Sequence, residues 1–319
     1  MKEVIPKISV LVITYNQEDV ITRAIDSLIS QKESIYEICV SDDCSTDNTW
    51  RILQDYEKEY PGLFVLNRND HNLGIFENIE KSWTMPSGDI INLLSGDDEC
   101  GKGWLNTVIR YIKEKQIDYK RELFCIYGDY KAIYPNGDSF VFKNSIIQSG
   151  IDPIRLTFRS LIGNRSLCYS KRILDKFEKV SQGRSHIAES ALDKQVQLFS
   201  EHNYYIPCVG NIYYTGIGVS ASLDEEKLKD REEIESYAQK FIEKHGYVFC
   251  EKDLKYLKYI DASAKAYRNK KISYKFKLFF LFFCGIDWSL GLKSFRLKRY
   301  LFAIARRIPH RKPLSWVVN

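Results

Sequence analysis

The sequence predicts an α/β fold, a mostly parallel sheet flanked by helices, with a helical, basic amphipathic extension at the C-terminus. Three observations carry that expectation. Short β-branched apolar runs alternate with helical patterns through the first hundred residues. Each run is apolar throughout rather than at every second position, as a strand covered on both faces requires. Each run also ends in polar residues, and in βαβ sheets ligands gather at the carboxyl ends of the strands.

The first run is "KISVLVITYN" (7–16). Val20, Ile21, Ala24, Ile25, Leu28 and Ile29 follow at helical spacing and give an amphipathic helix. "YEICVSDDCSTDNTW" (36–50) repeats the pattern with a strand, an Asp/Ser/Thr-rich loop and a helix carrying Trp50, Leu53 and Tyr56. "LFVLNRN" (63–69) makes a third strand and "DIINLLSGDD" (89–98) a fourth. The parallel arrangement then sets "TYN" (14–16), "SDD" (41–43), "NRND" (67–70) and "SGDD" (95–98) on one edge of one sheet. Independent surface turns would not all follow apolar strands in the same sense.

Beyond residue 100 the pattern is mixed. A helix is expected from Trp104 to about Lys115, strands near "LFCIYGDY" (123–130), "DSFVF" (138–142) and "SLCYS" (166–170), and a helix around "SALDKQVQLFSEH" (190–202). From about 223 the sequence is helical and charged, which suggests a division into 1–222 and 223–319. From about 268 Lys and Arg dominate, aromatics are dense, and "LFFLFFCGI" (278–286) is too short to cross a bilayer. In "SFRLKRYLFAIARRI" (294–308), Leu297, Leu301, Ile304 and Ile308 share one face, and Arg296, Lys298, Arg299, Arg306 and Arg307 fill much of the rest. Such a helix suits an anionic membrane surface; packing of its apolar face on the protein's own core is the alternative.

At 319 residues the chain can bury a full core, and 44% hydrophobic with 28% charged residues is the composition of a soluble globular protein. A net charge of +5 is too mild to argue for nucleic acid, and no nucleic-acid partner is expected. The eight Cys form no CxxC pair, and Cys39, Cys125 and Cys168 lie in apolar runs as small hydrophobes. That favours a reducing cytoplasm. No charged leader with a cleavable apolar segment precedes the first strand, so the expected mature chain begins at Met1.

Taken in order over residues 7 to about 222, "ISVLVITYNQ", "ICVSDDCSTDNT", "NDHNLGIFEN", "SGDIINLLSGDDE", an acidic position before "KQVQL", and "YYTGIGVSAS" form a series. It resembles the family 2 inverting glycosyltransferases, which have the GT-A nucleotide-sugar-binding fold. The resemblance implies a nucleotide-sugar donor and gives each cluster a role. Thr14 and Tyr15 would contact the nucleobase, with Asn16 beside them. Asp42 would accept the imide N–H of uracil, and Asp43 would sit near the ribose. Asn72, Gly74 and Asn78 would lie over the nucleotide. "SGDD" stands where the family has its DxD motif, so Asp97 would hold a divalent cation, Mn²⁺ or Mg²⁺, bridged to the diphosphate. Asp98 would assist from the sugar side, Glu99 would be structural, and Asp47 is read as a helix N-cap with no ligand role.

Two departures stand out. Ser95 occupies the place where the first Asp of DxD often stands, and Cys44 takes the place of Gly in "DDGS".

An inverting transfer also needs a carboxylate to take the acceptor's proton. Glu189 and Asp193 are the candidates, and distance to the following strand favours Asp193 although Leu192 replaces the usual neighbouring acid. The family suggests a UDP-sugar donor, a glycan or lipid-linked glycan acceptor in bacterial surface polysaccharide synthesis, and work at the inner face of the cell membrane. Three rivals remain. A polymerase would pair the "GDD" turn with an earlier metal carboxylate on a ferredoxin-like sheet. A sugar nucleotidyltransferase would need a Gly-rich basic loop where "TYNQEDV" stands. A membrane-docked scaffold without activity would keep the fold, and Ser95 is its best support.

Overall fold

The computed structural model describes residues 5–158, 163, 165–179, 189–217, 237–251 and 253–254. The stretch 294–308, with its expected basic amphipathic helix, and the run 278–286 lie outside the described residues. By contacts the chain divides into two compact units, Met1–Tyr247 and Val248–Asn319.

The first unit opens with three βα steps and a fourth strand. β1 (Ile8–Thr14), α1 (Ile21–Ile29), β2 (Glu37–Asp42), α2 (Thr49–Glu59), β3 (Phe64–Arg68), α3 (Ile75–Ser82) and β4 (Ile90–Ser95) follow one another. There follow β5 (Glu99–Cys100), α4 (Trp104–Glu114), β6 (Phe124–Ile133), β7 (Ser139–Phe142), α5 (Pro153–Phe158), β8 (Leu167–Ser170), α6 (Glu189–Phe199) and β9 (His202–Tyr214). The sheet order is β3-β2-β1-β4-β8-β6-β9-β5, with β7 paired to β6. The expected parallel sheet holds across β3, β2, β1 and β4. Beyond β4 the sheet is mixed, because β8 runs antiparallel between β4 and β6 while β9 returns parallel to β6.

β1 is central, and all seven of its residues are buried. Its side chains alternate between two layers, as strand geometry demands. Ile8, Val10 and Val12 join Ile21, Ala24, Ile25 and Leu28 of α1, Leu53 of α2, and Trp104, Leu105, Val108 and Ile112 of α4 in one core. Ile13 packs in the other layer with Ile79 of α3 and Leu192 of α6. Full burial of each of these aliphatic side chains contributes about 1.5–3 kcal/mol, so the α1 stripe alone explains why that helix stays on the sheet. Trp104 is fully buried, and its indole N–H donates to Asn92 Oδ1 at 3.0 Å, which satisfies the polar end of a large apolar ring. Cys39, Cys125 and Cys168 are buried without exposure, and burial pushes the Cys39 thiol up to about 12.

One close approach fixes how the far end of the sheet meets the fourth strand's turn. Gly101 donates its N–H to Gly210 O at 3.0 Å, and a Cβ on Gly101 would lie 1.8 Å from the Val209 carbonyl oxygen. Only glycine lets β5 lie against β9 there.

Candidate active site

The parallel register levels the strand ends. Thr14 pairs with Asp42, Asp42 with Arg68, and Ile13 with Ser95, so the four polar clusters share one edge. The loops after β1 and β2 are laced together. Asn16 N donates to Ser45 Oγ at 2.9 Å, Thr46 N to Asn16 Oδ1 at 2.8 Å, and Glu18 N to Asp47 Oδ2 at 3.0 Å. Asp47 also accepts the Thr49 N–H at 2.9 Å; it caps from one residue ahead of Asn48, the position at which α2 formally begins.

Within this frame the expected nucleotide residues divide by environment. Tyr15 is 43% exposed at the end of β1. Thr14 is buried and donates to Gln17 Oε1 at 2.6 Å. Asp42 is fully buried; it accepts Ser45 N at 3.0 Å and the Ser45 hydroxyl, and lies 3.5 Å from Arg68 Nε. Burial pushes its carboxyl above the ordinary carboxylate range, and the Ser45 bonds and Arg68 only partly offset that. Asp43 accepts Asn69 Nδ2 at 2.8 Å, Leu73 N at 2.9 Å and Gly74 N at 2.8 Å. One carboxylate therefore grips both ends of the 69–74 loop.

Gly74 has φ +84°, which lets the chain turn into α3 while its N–H reaches both Asp43 and Asn72 Oδ1, the latter at 3.1 Å. Asn78 is buried and faces inward: its Oδ1 accepts Ser41 Oγ at 2.6 Å and Asn69 Nδ2 at 3.0 Å, and its Nδ2 donates to Ser41 O at 3.2 Å. In this arrangement Asn78 ties α3 to β2.

The acidic turn after β4 is held from two sides. Arg23 of α1 donates from Nη2 to Asp97 O at 2.7 Å, lies 3.5 Å from Glu99 Oε1, and stacks 3.5 Å from the Tyr214 ring centroid. The Tyr214 hydroxyl closes this group by donating to Glu99, and burial together with that bond pushes the phenol up to about 12. On the other side Arg165 Nη1 lies 3.5 Å from Asp98 Oδ2, with its guanidinium 3.6 Å from the Tyr213 ring centroid. Asp98 is buried and also accepts Tyr214 N at 3.4 Å; Asp97 is half-buried.

No group of three or more His, Cys, Asp or Glu side chains able to hold a metal occurs among the described residues. A half-buried Asp97 beside Asp98 fits an ion that takes one or two protein carboxylates and completes its shell with substrate phosphate and water, the habit of Mg²⁺.

α6 begins on the same side of the sheet. Its far end meets the start of β6, where Glu201 N donates to Leu123 O at 2.8 Å, so the helix descends from the ligand edge. Asp193 acts electrostatically on Cys125, Tyr127 and Tyr169, which lie well inside the sheet. The backbone of Glu189, at the first position of the helix, is about 6 Å nearer the edge, since four residues rise 1.5 Å each.

Arg23, Arg68, Arg165, Ser45 and Asn69 were not singled out from the sequence. The "YY" doublet at 213–214 was visible as part of a motif, but its partners were not.

Comparison with known proteins adds the following. Residues 9–126 match the model for Glycosyl transferase family 2. A poly(ribitol-phosphate) beta-glucosyltransferase of Bacillus spizizenii is 35% identical over 212 residues, 62% of this chain and 32% of that protein. A GalNAc(5)-diNAcBac-PP-undecaprenol beta-1,3-glucosyltransferase of Campylobacter jejuni is 34% identical over 110 residues, 34% of this chain and 35% of that one. The chain spans about a third of the length of the curated relatives it matches, 36%, 32% and 35% of three of them. Among solved structures, S. aureus TarS 1-349 superimposes with a TM-score of 0.59 at 16% identity, covering 88% of this chain and 80% of that one. The same protein in complex with UDP-GlcNAc gives 0.54 at 19% identity, over 72% and 65%. At such identities the likeness shows a shared α/β fold. Together the sequence match and the fold show that the chain resembles the family 2 glycosyltransferases, as its motifs predict.

Proposed function

We propose that this chain, resembling family 2 glycosyltransferases, moves a sugar with inversion from a UDP-sugar to a hydroxyl of a glycan or lipid-linked glycan in bacterial surface polysaccharide synthesis. The observation that carries the reading is the convergence of four strand ends on one edge, which sets Asp42, Asp43, Asp97 and Asp98 at the ends of neighbouring strands. The names of the relatives, on polyribitol phosphate and on an undecaprenol-linked glycan, support the acceptor class, and the UDP-GlcNAc complex of TarS supports the donor.

Each residue's part follows from its chemistry. Tyr15 stacks on the base, and Asp42 accepts the uracil imide N–H, most strongly when ionised. Asp43 and Asn78 hold the 69–74 loop in place over the nucleotide. A carboxylate of α6 takes the acceptor's proton as the hydroxyl oxygen attacks the anomeric carbon and the bond to the diphosphate breaks. Asp193 takes this role, and Glu189, whose backbone opens the helix a turn nearer the edge, is the alternative. A divalent cation held by Asp97 would neutralise charge on the departing nucleoside diphosphate. Attachment to the inner face of the membrane is assigned to the basic, aromatic region from about 268, which leaves the catalytic unit in the cytoplasm. Among the described residues no helix is long and apolar enough to cross a membrane.

The test is a thermal-shift panel of UDP, GDP, CDP and dTDP, each with and without Mn²⁺. A ligand at 100 times its dissociation constant stabilises by about 2.7 kcal/mol, enough for a clear shift. UDP should stabilise with Mn²⁺, and Asp97→Asn should erase the effect. A melt that no nucleotide moves would leave the chain as a scaffold with this fold.

A further inference from the structure

Tyr213 and Tyr214 are consecutive on β9, so their rings stand on opposite faces of the strand. Each ring carries an arginine, at 3.6 and 3.5 Å from the centroid, and each arginine also reaches the acidic turn. Arg23 puts Nη2 on the Asp97 carbonyl at 2.7 Å, and its Nε lies 3.5 Å from Glu99 Oε1. Arg165 places Nη1 3.5 Å from Asp98 Oδ2, and its side chain is 30% exposed.

The position of Arg165 is built rather than incidental. It lies just ahead of β8, whose antiparallel register pairs Asn92 with Cys168; continued, that register sets Arg165 level with Ser95. The backbone two residues earlier is clamped, since Asn144 Nδ2 donates to Gly128 O at 2.7 Å and to Gly163 O at 2.8 Å while its Oδ1 accepts Gly163 N at 3.0 Å. A guanidinium lying over the Tyr213 ring is therefore delivered to the edge where Asp97, Asp98 and Glu99 crowd three negative charges. A diphosphate arriving there brings more negative charge, and an ordered cation at that point offsets it.

We infer that Arg165, held by Tyr213 and Asp98, is a diphosphate-binding residue that discriminates a nucleoside diphosphate from a monophosphate and stabilises the leaving group. It supplies positive charge level with Ser95, where a carboxylate of the metal motif is missing. A planar fork suits phosphate oxygens in a way that a lysine does not reproduce. The inference rests on the donor-site reading of the same edge.

The test is calorimetric titration of the full chain with UDP and with UMP in Mn²⁺ buffer, for the unaltered protein, Arg165→Gln and Arg165→Lys. The unaltered protein should bind UDP more tightly than UMP. Arg165→Gln should lose roughly 10- to 100-fold in UDP affinity, the usual worth of a hydrogen bond to a charged group, with UMP affinity unchanged. Arg165→Lys keeps a charge beside buried Asp98, and so the fold, and should fall between the two. If the Gln variant does not fold, the Lys variant decides by the same criterion. An unchanged UDP-to-UMP ratio, or an equal loss for both nucleotides, overturns the inference and leaves Arg165 a structural partner of Asp98. An unaltered protein that binds neither nucleotide sinks the donor-site reading, and this inference with it.

Discussion

Cys44 occupies the turn between Asp42–Asp43 and Ser45 with φ +60°, the left-handed region in which a Cβ crowds the backbone. The turn is nonetheless fully engaged: Asp43 N donates to Thr14 O at 3.0 Å and Ser45 N to Asp42 Oδ2 at 3.0 Å. These bonds hold the conformation against its local cost, about 1–2 kcal/mol for a non-glycine residue. Cys44→Gly removes that cost but enlarges the unfolded ensemble by about 0.4–1 kcal/mol. The expected net gain is about 0.5–1 kcal/mol. For a unit of this size that is a rise in melting temperature of about 1–4 °C. Calorimetry on the unaltered protein, Cys44→Gly and Cys44→Ala measures it. Alanine keeps the Cβ and deletes only a half-buried thiol, so it should melt within about 1 °C of the unaltered protein, by the same scaling. UDP affinity should be unchanged in both variants, because the turn's hydrogen bonds come from its neighbours. A glycine variant no more stable than the alanine variant would refute the argument that this turn is a glycine turn carrying a cysteine.

Asp42→Asn should weaken UDP binding without lowering stability at pH 7. Burial raises the Asp42 carboxyl above its ordinary 3.8, so the folded state holds the proton more tightly than the unfolded state, and stability falls as pH rises through the window above 3.8. Asparagine removes that deficit, so the variant should melt at or above the unaltered protein at pH 7, with the difference closing as pH falls towards 3.8; a lower melt at pH 7 contradicts this. Gly101→Ala drives a Cβ into the Val209 carbonyl and should cost about 3 kcal/mol or more, read as a lower urea midpoint with unchanged slope. Because β5 and β9 carry Tyr213 and Tyr214 to the acidic turn, UDP affinity should fall with it. Asp193→Asn should lower turnover about 10²- to 10⁴-fold with UDP affinity intact, and Glu189→Gln should do less. The reverse order would move the base to Glu189.

The parallel half of the sheet was legible because its strands announce themselves. "ISVLVIT" and "EICVSD" are buried on both faces, so hydrophobicity runs unbroken and stops where the edge begins. The other half was legible as elements but not as an order. Nothing in "LCYS" says that it inserts between β4 and β6, since pairing of distant strands is set by tertiary packing of the whole layer. β5 is two residues long, and no periodicity exists over two residues. It pairs with β9 across more than a hundred residues, where Gly101 permits contact.

The site divides in the same way. Acids at strand ends can be found from sequence because the strand fixes where they stand. What they do there depends on partners that sequence does not bring together. Asp43 and Asn78 show this: both belong to motifs in the series, yet one bonds Asn69, Leu73 and Gly74 and the other Ser41 and Asn69. Their hydrogen-bonding capacity is directed at the loop and strand beside the ligand edge, so substituting either should loosen that loop. Arg23 and Arg165 are the opposite case. They stand in no acidic or glycine-rich cluster, and a lone arginine on a helix or before a strand is ordinarily a solvated charge. Only the return of β9, with one tyrosine on each of its faces, turns them into the two cations that flank the acidic turn. A cluster of three acids at the end of a buried strand is therefore held by positive charge from two remote segments, at residues 74 positions before Asp97 and 68 after it.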